Sequence, residues 1–376
     1  MLTTVTGYLL LYALLVAIVS FLEQKKRLKL FSFVPAVIFI YIMSMLFANI
    51  GVVELNTAIK ESYKLVKTNL LPAMLFLMLL QIDFRAIKSL GRTLIYAYLL
   101  ALFSLIGAFM LLGVFISLSP TEAAAFGALS GSWMGGSANM IAVGEILGVG
   151  AEAYGVMLLV DSINYSFWLV LLLLLVPFSG VFNSFTGAKT LAKSVDGVAC
   201  SCTLGAKRYW LFVFLAFGVS ILVQSIGHFI DLFSTTTTNV LLATLLGVGA
   251  SFTRLREFNG SSELANTLLY LLIALIGSQA VFENFDNLAS TIFYGTAILF
   301  FHACVMFVGA KLLRLDLFSI SVASLANIGG VASAPILAAA YHKNLVGVGV
   351  LMAVVGYLIG TLSGLFVGHF LLWMAQ

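Results

Sequence analysis

Two stretches of this chain place reactive or hydrogen-bonding groups where an apolar run has no use for them. Residues 131–139 read Gly-Ser-Trp-Met-Gly-Gly-Ser-Ala-Asn, inside an apolar stretch from Ala123 to Gly150. Residues 327–335 read Asn-Ile-Gly-Gly-Val-Ala-Ser-Ala-Pro, inside a stretch from Leu317 to Tyr341. A helix broken inside a bilayer exposes unpaired N–H groups at one new end and unpaired C=O groups at the other. The N-terminal end favours an anion and the C-terminal end a cation. Such backbone survives at membrane depth only where protein or a water-filled cavity satisfies it. In the first stretch Gly135 and Gly136 permit a break, and Ser137 and Asn139 are placed to cap the second half-helix. In the second, Gly329 and Gly330 break the helix, Ser333 is the candidate cap, and Pro335 fits the first turn after it. Asn327 adds an amide on the other side of that break. Paired interruptions in corresponding halves point to a solute or ion site. Close packing through small residues accounts for some of the same glycines, since Gly127, Gly131 and Gly135 are four apart. The two explanations are compatible.

Carboxylates inside the apolar runs are the other candidates. Asp161 lies near the middle of the stretch after the first break, flanked by Ser162 and Asn164. A mid-membrane carboxylate costs about 3 kcal/mol or more, so its default reading is functional. It could carry a proton or hold Na+; the structural alternative is a hydrogen bond to a neighbouring helix. Glu145, on the second half-helix, is a candidate second proton or ion site. Glu145 aligns with Ala339 of the second half, so this site is asymmetric.

The elements that must position these residues follow from composition. The chain is 62% hydrophobic and 9% charged, far below the roughly 25% charge of soluble domains. It is an all-α, polytopic membrane protein. Apolar segments fall at 5–22, 31–51, 68–82, 91–116, 123–148, 152–177, 208–231, 238–252, 262–282, 288–311, 317–341 and 345–374. A span needs about 20 residues, so 68–82 and 238–252 are short. A polar loop, 178–207, divides a first repeat (1–177, with the N-terminal helices) from a second (208–376). The repeats align without a gap, because Gly329 follows Gly135, and Gly349 follows Gly155, by the same 194 positions. Gly356, Gly360, Gly364 and Gly368 recur every four residues on the last helix and, with Thr361 and Ser363, form one flat face. That face suits close packing against a broken helix.

Lys and Arg in short loops mark the cytoplasmic side. Lys25, Lys26, Arg27 and Lys29 follow the first segment, which reads as a retained helix and not a cleaved signal. Arg85, Lys88 and Arg92, then Arg254 and Arg256, then Lys311 and Arg314, all want the same side. The acidic loop with Glu283 and Asp286 wants the other, which inverted repeats require. Twelve full spans cannot satisfy all of these, so one segment is expected not to cross; 238–252 is the first candidate on length.

Several chemistries are excluded. Cys200, Cys202 and Cys304 make neither a disulfide scaffold nor a zinc site. His228, His302, His342 and His369 do not cluster in sequence, and no metal motif appears. The run Gly135-Gly-Ser-Ala resembles an intramembrane protease serine motif only loosely, with no paired base, so the chain reads as no enzyme. The net charge of +4 reflects loop bias and not a nucleic-acid surface.

Residues Gly135 to Val143, with Asp161-Ser-Ile-Asn164 and Asn327 to Pro335, resemble the YjcL-like family of uncharacterised bacterial membrane proteins. That family is similar to the cation:proton antiporter and anion transporter (bile acid:sodium symporter-like) superfamily. The resemblance implies inverted repeats, a panel and a core domain, and two broken helices that cross near mid-membrane. It implies a core of about 91–177 and 288–374 moving as a unit against the panel. Asp161 matches the acidic position that follows the first broken helix in the sodium–proton antiporters. The lysine some antiporters keep on the last core helix has no counterpart near Val355 and Gly356. The expectation is therefore a secondary transporter of a small organic solute, an anion or an amino-acid- or peptide-like metabolite, coupled to Na+ or H+. The alternative is a monovalent cation:proton antiporter; an intramembrane enzyme is the least favoured class. The expected site comprises Gly135, Gly136, Ser137, Asn139, Asp161, Asn164, Asn327, Gly329, Gly330 and Ser333, with Glu145 as the second ion site. No cofactor is expected beyond bound Na+. The partners are a small solute or ion and membrane lipid, with a homodimer compatible. The expected location is the bacterial cytoplasmic (inner) membrane.

Overall fold

The structure is a computed structural model that describes residues 2–24, 36–80, 91–188, 206–227, 235–257, 260–279, 288–342 and 345–376. The clusters Lys25–Lys29 and Arg85–Lys88, the loop lysines Lys189 and Lys193, Cys200, Cys202, His228, Glu283 and Asp286 lie outside the described residues. The first repeat carries α1 (Val5–Gln24), α2 (Ala36–Asn49), α3 (Thr57–Leu80), α4 (Gly91–Phe115), α5 (Pro120–Gly135), α6 (Ser137–Leu147) and α7 (Ala151–Leu175). A short helix, α8 (Ser179–Thr186), follows. The second repeat carries α9 (Ala206–Gly227), α10 (Thr235–Ser251), α11 (Ser261–Gly277), α12 (Leu288–Leu313), α13 (Leu317–Ile328), α14 (Gly330–Tyr341) and α15 (Val346–Met374). The chain is an all-helical polytopic membrane protein. Among the described residues, seven helices are long and apolar enough to cross a bilayer, with shorter apolar helices among them.

One expected boundary moves. The segment expected at 68–82 is not short, because α3 begins at Thr57 and runs 24 residues. Its first turns carry Lys60, Glu61, Lys64 and Lys67, which mask the helix from a hydropathy reading. From Leu70 to Leu80 it is buried on every side, as expected of a helix at the centre of a bundle.

The described helices form two compact units. The first comprises residues 1–81, 149–162 and 202–287. Here α3 is surrounded by α9, α10 and α11. Polar side chains tie this unit together: Tyr8 Oη and Ser278 Oγ lie 2.8 Å apart, Ser220 donates to Asn69 O at 2.8 Å, and Tyr41 donates to Ala151 O at 2.6 Å. Close glycine contacts occur here too. A Cβ on Gly247 would meet Phe76 O at 3.0 Å, and one on Gly277 would meet Tyr41 O at 2.7 Å.

The second unit comprises residues 82–148, 163–201 and 288–376. The expected core of 91–177 therefore loses 149–162, which groups with the first unit. Within the second unit α15 is the spine, packing against α4, α5, α6, α13 and α14. The glycine face of α15 meets the glycine row of α5 in register. A Cβ on Gly360 would lie 2.6 Å from Gly135 Cα, one on Gly364 2.8 Å from Gly131 Cα, and one on Gly127 2.7 Å from Gly368 Cα. The two backbones touch, so no side chain fits between them.

Candidate functional site

Both interruptions form where the glycine pairs lie. In the first, Gly136 ends α5 and starts α6 at φ 84° and ψ 172°, a conformation open to glycine at little cost. In the second, Gly329 joins α13 to α14, and Gly330 takes φ 60°. Gly136 and Gly330 are equivalent in the two repeats, 194 positions apart. The left-handed residue is thus the same one in both halves.

The arms do not continue in line; each pair folds back on itself. A Cβ on Gly127 would meet the Leu147 side chain at 2.7 Å, and one on Gly131 would meet Val143 at 2.9 Å and Asn139 O at 3.1 Å. Contacts that pair 127 with 147 and 131 with 143 describe an antiparallel helical hairpin with its tip at Gly136. The second interruption does the same: Phe318 and Tyr341, at opposite ends of the α13–α14 pair, stack edge to face at 5.3 Å. The arms hold 16, 11, 12 and 12 residues. At 1.5 Å per residue they reach roughly 16–24 Å, less than the ~30 Å hydrocarbon core. None of the four arms is therefore long enough to span on its own. The open ends are capped conventionally. Ser119 and Glu122 form a capping box on α5, and Asp316, 1% exposed, accepts from Ser319 N at 3.0 Å.

One helix, α15, touches both hairpins. On α15, Gly356 and Gly360 face Gly135, while a Cβ on Gly349 would lie 2.7 Å from Ala334 O. The contact points are seven to eleven residues apart, roughly 10–17 Å along the axis. The first arms, α5 and α13, also touch each other.

The caps differ from expectation. Neither Ser137 nor Asn139 caps α6; Gly136 is the N-cap, with no side-chain bond. Asn139 is 2% exposed and reaches back to the break instead. It donates to Gly135 O at 2.5 Å and accepts from Thr361 at 2.5 Å, which satisfies a carbonyl the break would leave unpaired. Ser333 does not cap α14 either, because Gly329 takes that position. Pro335 falls inside α14, beyond the first turn.

What the caps leave over is more informative. Three buried polar atoms in this unit have no hydrogen-bond partner among the described residues: Tyr98 Oη, Asn327 Oδ1 and Ser333 Oγ. Leaving such a group unpaired costs about 1–3 kcal/mol. Asn327 and Ser333 are both fully buried and sit on opposite arms of the second hairpin, flanking its tip. The Asn327 amide nitrogen is spent on Ala323 O at 2.9 Å, so only its oxygen is free. Tyr98 Oη lies 3.5 Å from where a Cβ on Gly356 would stand, beside the first tip. Tyr357 approaches Gly136, and the Tyr165 ring packs on Gly329.

The remaining candidates lie elsewhere. Asn164 is bonded to α12, accepting from Thr296 at 2.8 Å and donating to Ile292 O at 3.4 Å. Asp161 is half-buried on the part of α7 that groups with the first unit. Glu145 is half-buried, about 13 Å along α6 from the tip at 1.5 Å per residue, so it belongs to the hairpin's open end. Sequence reasoning missed Tyr98, and it missed His302. Both nitrogens of this fully buried histidine are engaged, Nδ1 with Ser104 Oγ at 2.5 Å and Nε2 with Ser324 Oγ at 2.8 Å.

A family model described as "Protein of unknown function (DUF819)" matches residues 9–374. The chain is similar to "Uncharacterized membrane protein YjcL" of Bacillus subtilis (strain 168). The two are 27% identical over 372 residues, covering 93% of this chain and 92% of that protein.

Proposed function

The chain belongs to the DUF819 family of membrane proteins, and from its own geometry we propose that it is a secondary active transporter of a small organic solute. The observation that carries this reading is that Tyr98 Oη, Asn327 Oδ1 and Ser333 Oγ, the unpartnered buried polar atoms of the second unit among the described residues, all lie beside the hairpin tips; the first unit holds three more, Ser44 Oγ, Thr238 Oγ1 and Asn239 Oδ1. Buried polar groups are normally paired. A solute that supplies the missing partners turns that cost into affinity. Asn327 Oδ1 accepts from an N–H or O–H of the solute, while the two hydroxyls donate or accept. The N-terminal ends of α6 and α14 lie at the tips, and the partial positive charge of a helix N-terminus favours a carboxylate. The tip sequences 131–141 and 325–335 contain no ionisable side chain. Such a lining suits an organic anion or an amino-acid- or peptide-like metabolite better than bare cation exchange. Asp161 is the candidate for Na+ or proton coupling.

A hairpin returns to the side it entered from, so neither hairpin counts as a crossing, an arrangement suited to a site reached from one face at a time. The positive-inside bias is that of a bacterial cytoplasmic membrane. Uptake of a labelled solute panel into proteoliposomes, under imposed Na+ or pH gradients, tests the proposal. Gradient-driven accumulation that Ser333→Ala abolishes supports it; flux indifferent to both gradients overturns it.

A further inference from the structure

Positions 194 apart correspond in the two repeats, so each hairpin is the other's reference. Gly135 corresponds to Gly329, Gly136 to Gly330 and Asn139 to Ser333. In both hairpins the polar side chain sits over the first glycine: a Cβ on Gly135 would lie 2.2 Å from Asn139 Nδ2, and one on Gly329 2.1 Å from Ser333 Oγ. Beyond that the tips differ. At the first, Asn139 donates to Gly135 O and accepts from Thr361, both at 2.5 Å. The Tyr357 ring covers this tip, 3.7 Å from where a Cβ on Gly136 would stand. At the second, Ser333 is shorter, and its Oγ has no partner among the described residues. The counterpart of Thr361 is Phe167, 75% exposed, which brings no hydroxyl. Gly330 is buried, yet a Cβ there would meet nothing within 4 Å among the described residues. Asn327 corresponds to Trp133, which packs edge to face on Phe109 at 5.5 Å. Which Asn327 atom is free follows from chemistry. Ala323 O can only accept, so the amide nitrogen faces it at 2.9 Å and the oxygen is left over. The first hairpin thus supplies its own polar partners, and the second does not.

We propose that the second tip alone binds the solute's charged head, and that this head is the ammonium and carboxylate of an α-amino acid. This rests on the reading of the hairpin tips as the solute site and narrows it to one hairpin and one class of solute. Asn327 Oδ1 can only accept, so the group it meets is a donor. Asn327 is the penultimate residue of α13, and the C-terminal end of a helix favours positive charge. An ammonium satisfies both conditions. Only Gly329 separates that end from the start of α14, whose partial positive charge favours a carboxylate. Opposite helix ends one residue apart match opposite charges carried on one carbon. The segment 325–335 has no ionisable side chain. A bare amine or a bare carboxylate would enter it uncompensated, which is costly; a zwitterion brings its own counter-charge. Ser333 Oγ, donor or acceptor alike, completes the set. At the first tip the Asn139 amide already donates to the carbonyl there, the part the solute's ammonium plays at the second. Tyr98 comes from α4 and not from a hairpin, and its hydroxyl selects neither charge.

The test is binding to the full chain in lipid nanodiscs, read as a saturable rise in Tm with added compound. The probes are the proteinogenic amino acids, each beside its deaminated acid and its decarboxylated amine. At least one amino acid should bind, and both of its truncated counterparts should bind about tenfold or more weakly, as loss of a charged hydrogen bond implies. Asn327→Leu should weaken the amino acid by a similar factor. Thr361→Val, which breaks the Asn139 bond at the first tip, should lower Tm and leave that affinity near the wild-type value. Absence of binding by every amino acid, equal binding of an amino acid and its deaminated acid, or an affinity loss in Thr361→Val and not in Asn327→Leu overturns the proposal. So does a Tm rise with Na+ alone that Asn327→Leu removes, which would assign the oxygen to an ion. The matched compounds on the wild type decide the matter should Asn327→Leu fail to fold. Amino-acid binding with this pattern but without gradient-driven uptake would sink the transport reading and leave the zwitterion site standing.

Discussion

Replacing Gly360 by alanine tests the packing that positions the first hairpin. The new Cβ would stand 2.6 Å from Gly135 Cα and 2.9 Å from both Asn139 Cγ and Nδ2. Backbone cannot yield there as a flexible side chain would. Overpacking of this kind costs about 1–3 kcal/mol. Moving Asn139 also breaks its 2.5 Å bonds to Gly135 O and Thr361. Each buried group so orphaned adds about 1–3 kcal/mol, so the expected loss is about 2–5 kcal/mol. At about 2–4 °C per kcal/mol for a unit of this size, Tm should fall by roughly 4–20 °C. The assay is thermal unfolding of purified protein in nanodiscs. Gly218→Ala on α9 is the control, since a Cβ there would meet nothing within 4 Å and should leave Tm near the wild-type value. Equal Tm values for Gly360→Ala and Gly218→Ala would refute the backbone contact between α15 and α5.

Ser333→Ala removes an unpaired buried hydroxyl, so it should raise stability by about 1–2 kcal/mol while abolishing solute binding; a fall in Tm would show that the hydroxyl has a structural partner. Asp161→Asn keeps shape and hydrogen bonding but cannot ionise. It should abolish gradient coupling with an unchanged Tm, and unchanged coupled transport would make the carboxylate structural. Asp316→Ala removes the cap that accepts from Ser319 N at 3.0 Å and Ser319 Oγ at 2.6 Å. It should cost about 1–2 kcal/mol, read as a lower Tm, and no change would deny the cap its role.

The glycines were legible because their spacing is itself the signal. Gly127, Gly131 and Gly135 meet Gly360, Gly364 and Gly368 on the helix face that a four-residue repeat implies. The fold-back was not legible. A Gly-Gly interruption reads the same whether its arms continue or return, and the contacts that decide it, Leu147 on Gly127 and Tyr341 on Phe318, are tertiary. The caps were misassigned because a serine after glycine looks like an N-cap, whereas Gly136 at φ 84° takes the position itself. His302 escaped notice because its partners, Ser104 and Ser324, are 198 and 22 residues away, and serines complete no recognisable motif.

The central claim is that the hairpin tips form the binding site of a gradient-driven transporter. Proteoliposome uptake of a labelled solute panel, run in parallel for wild type and Ser333→Ala under imposed Na+ and pH gradients, tests it most directly. The wild type is expected to accumulate solute against its gradient, to lose that accumulation when the ion gradient is dissipated, and to differ in this from the better-folded Ser333→Ala protein, which should show none. Solute flux that ignores both gradients and persists in Ser333→Ala would contradict it.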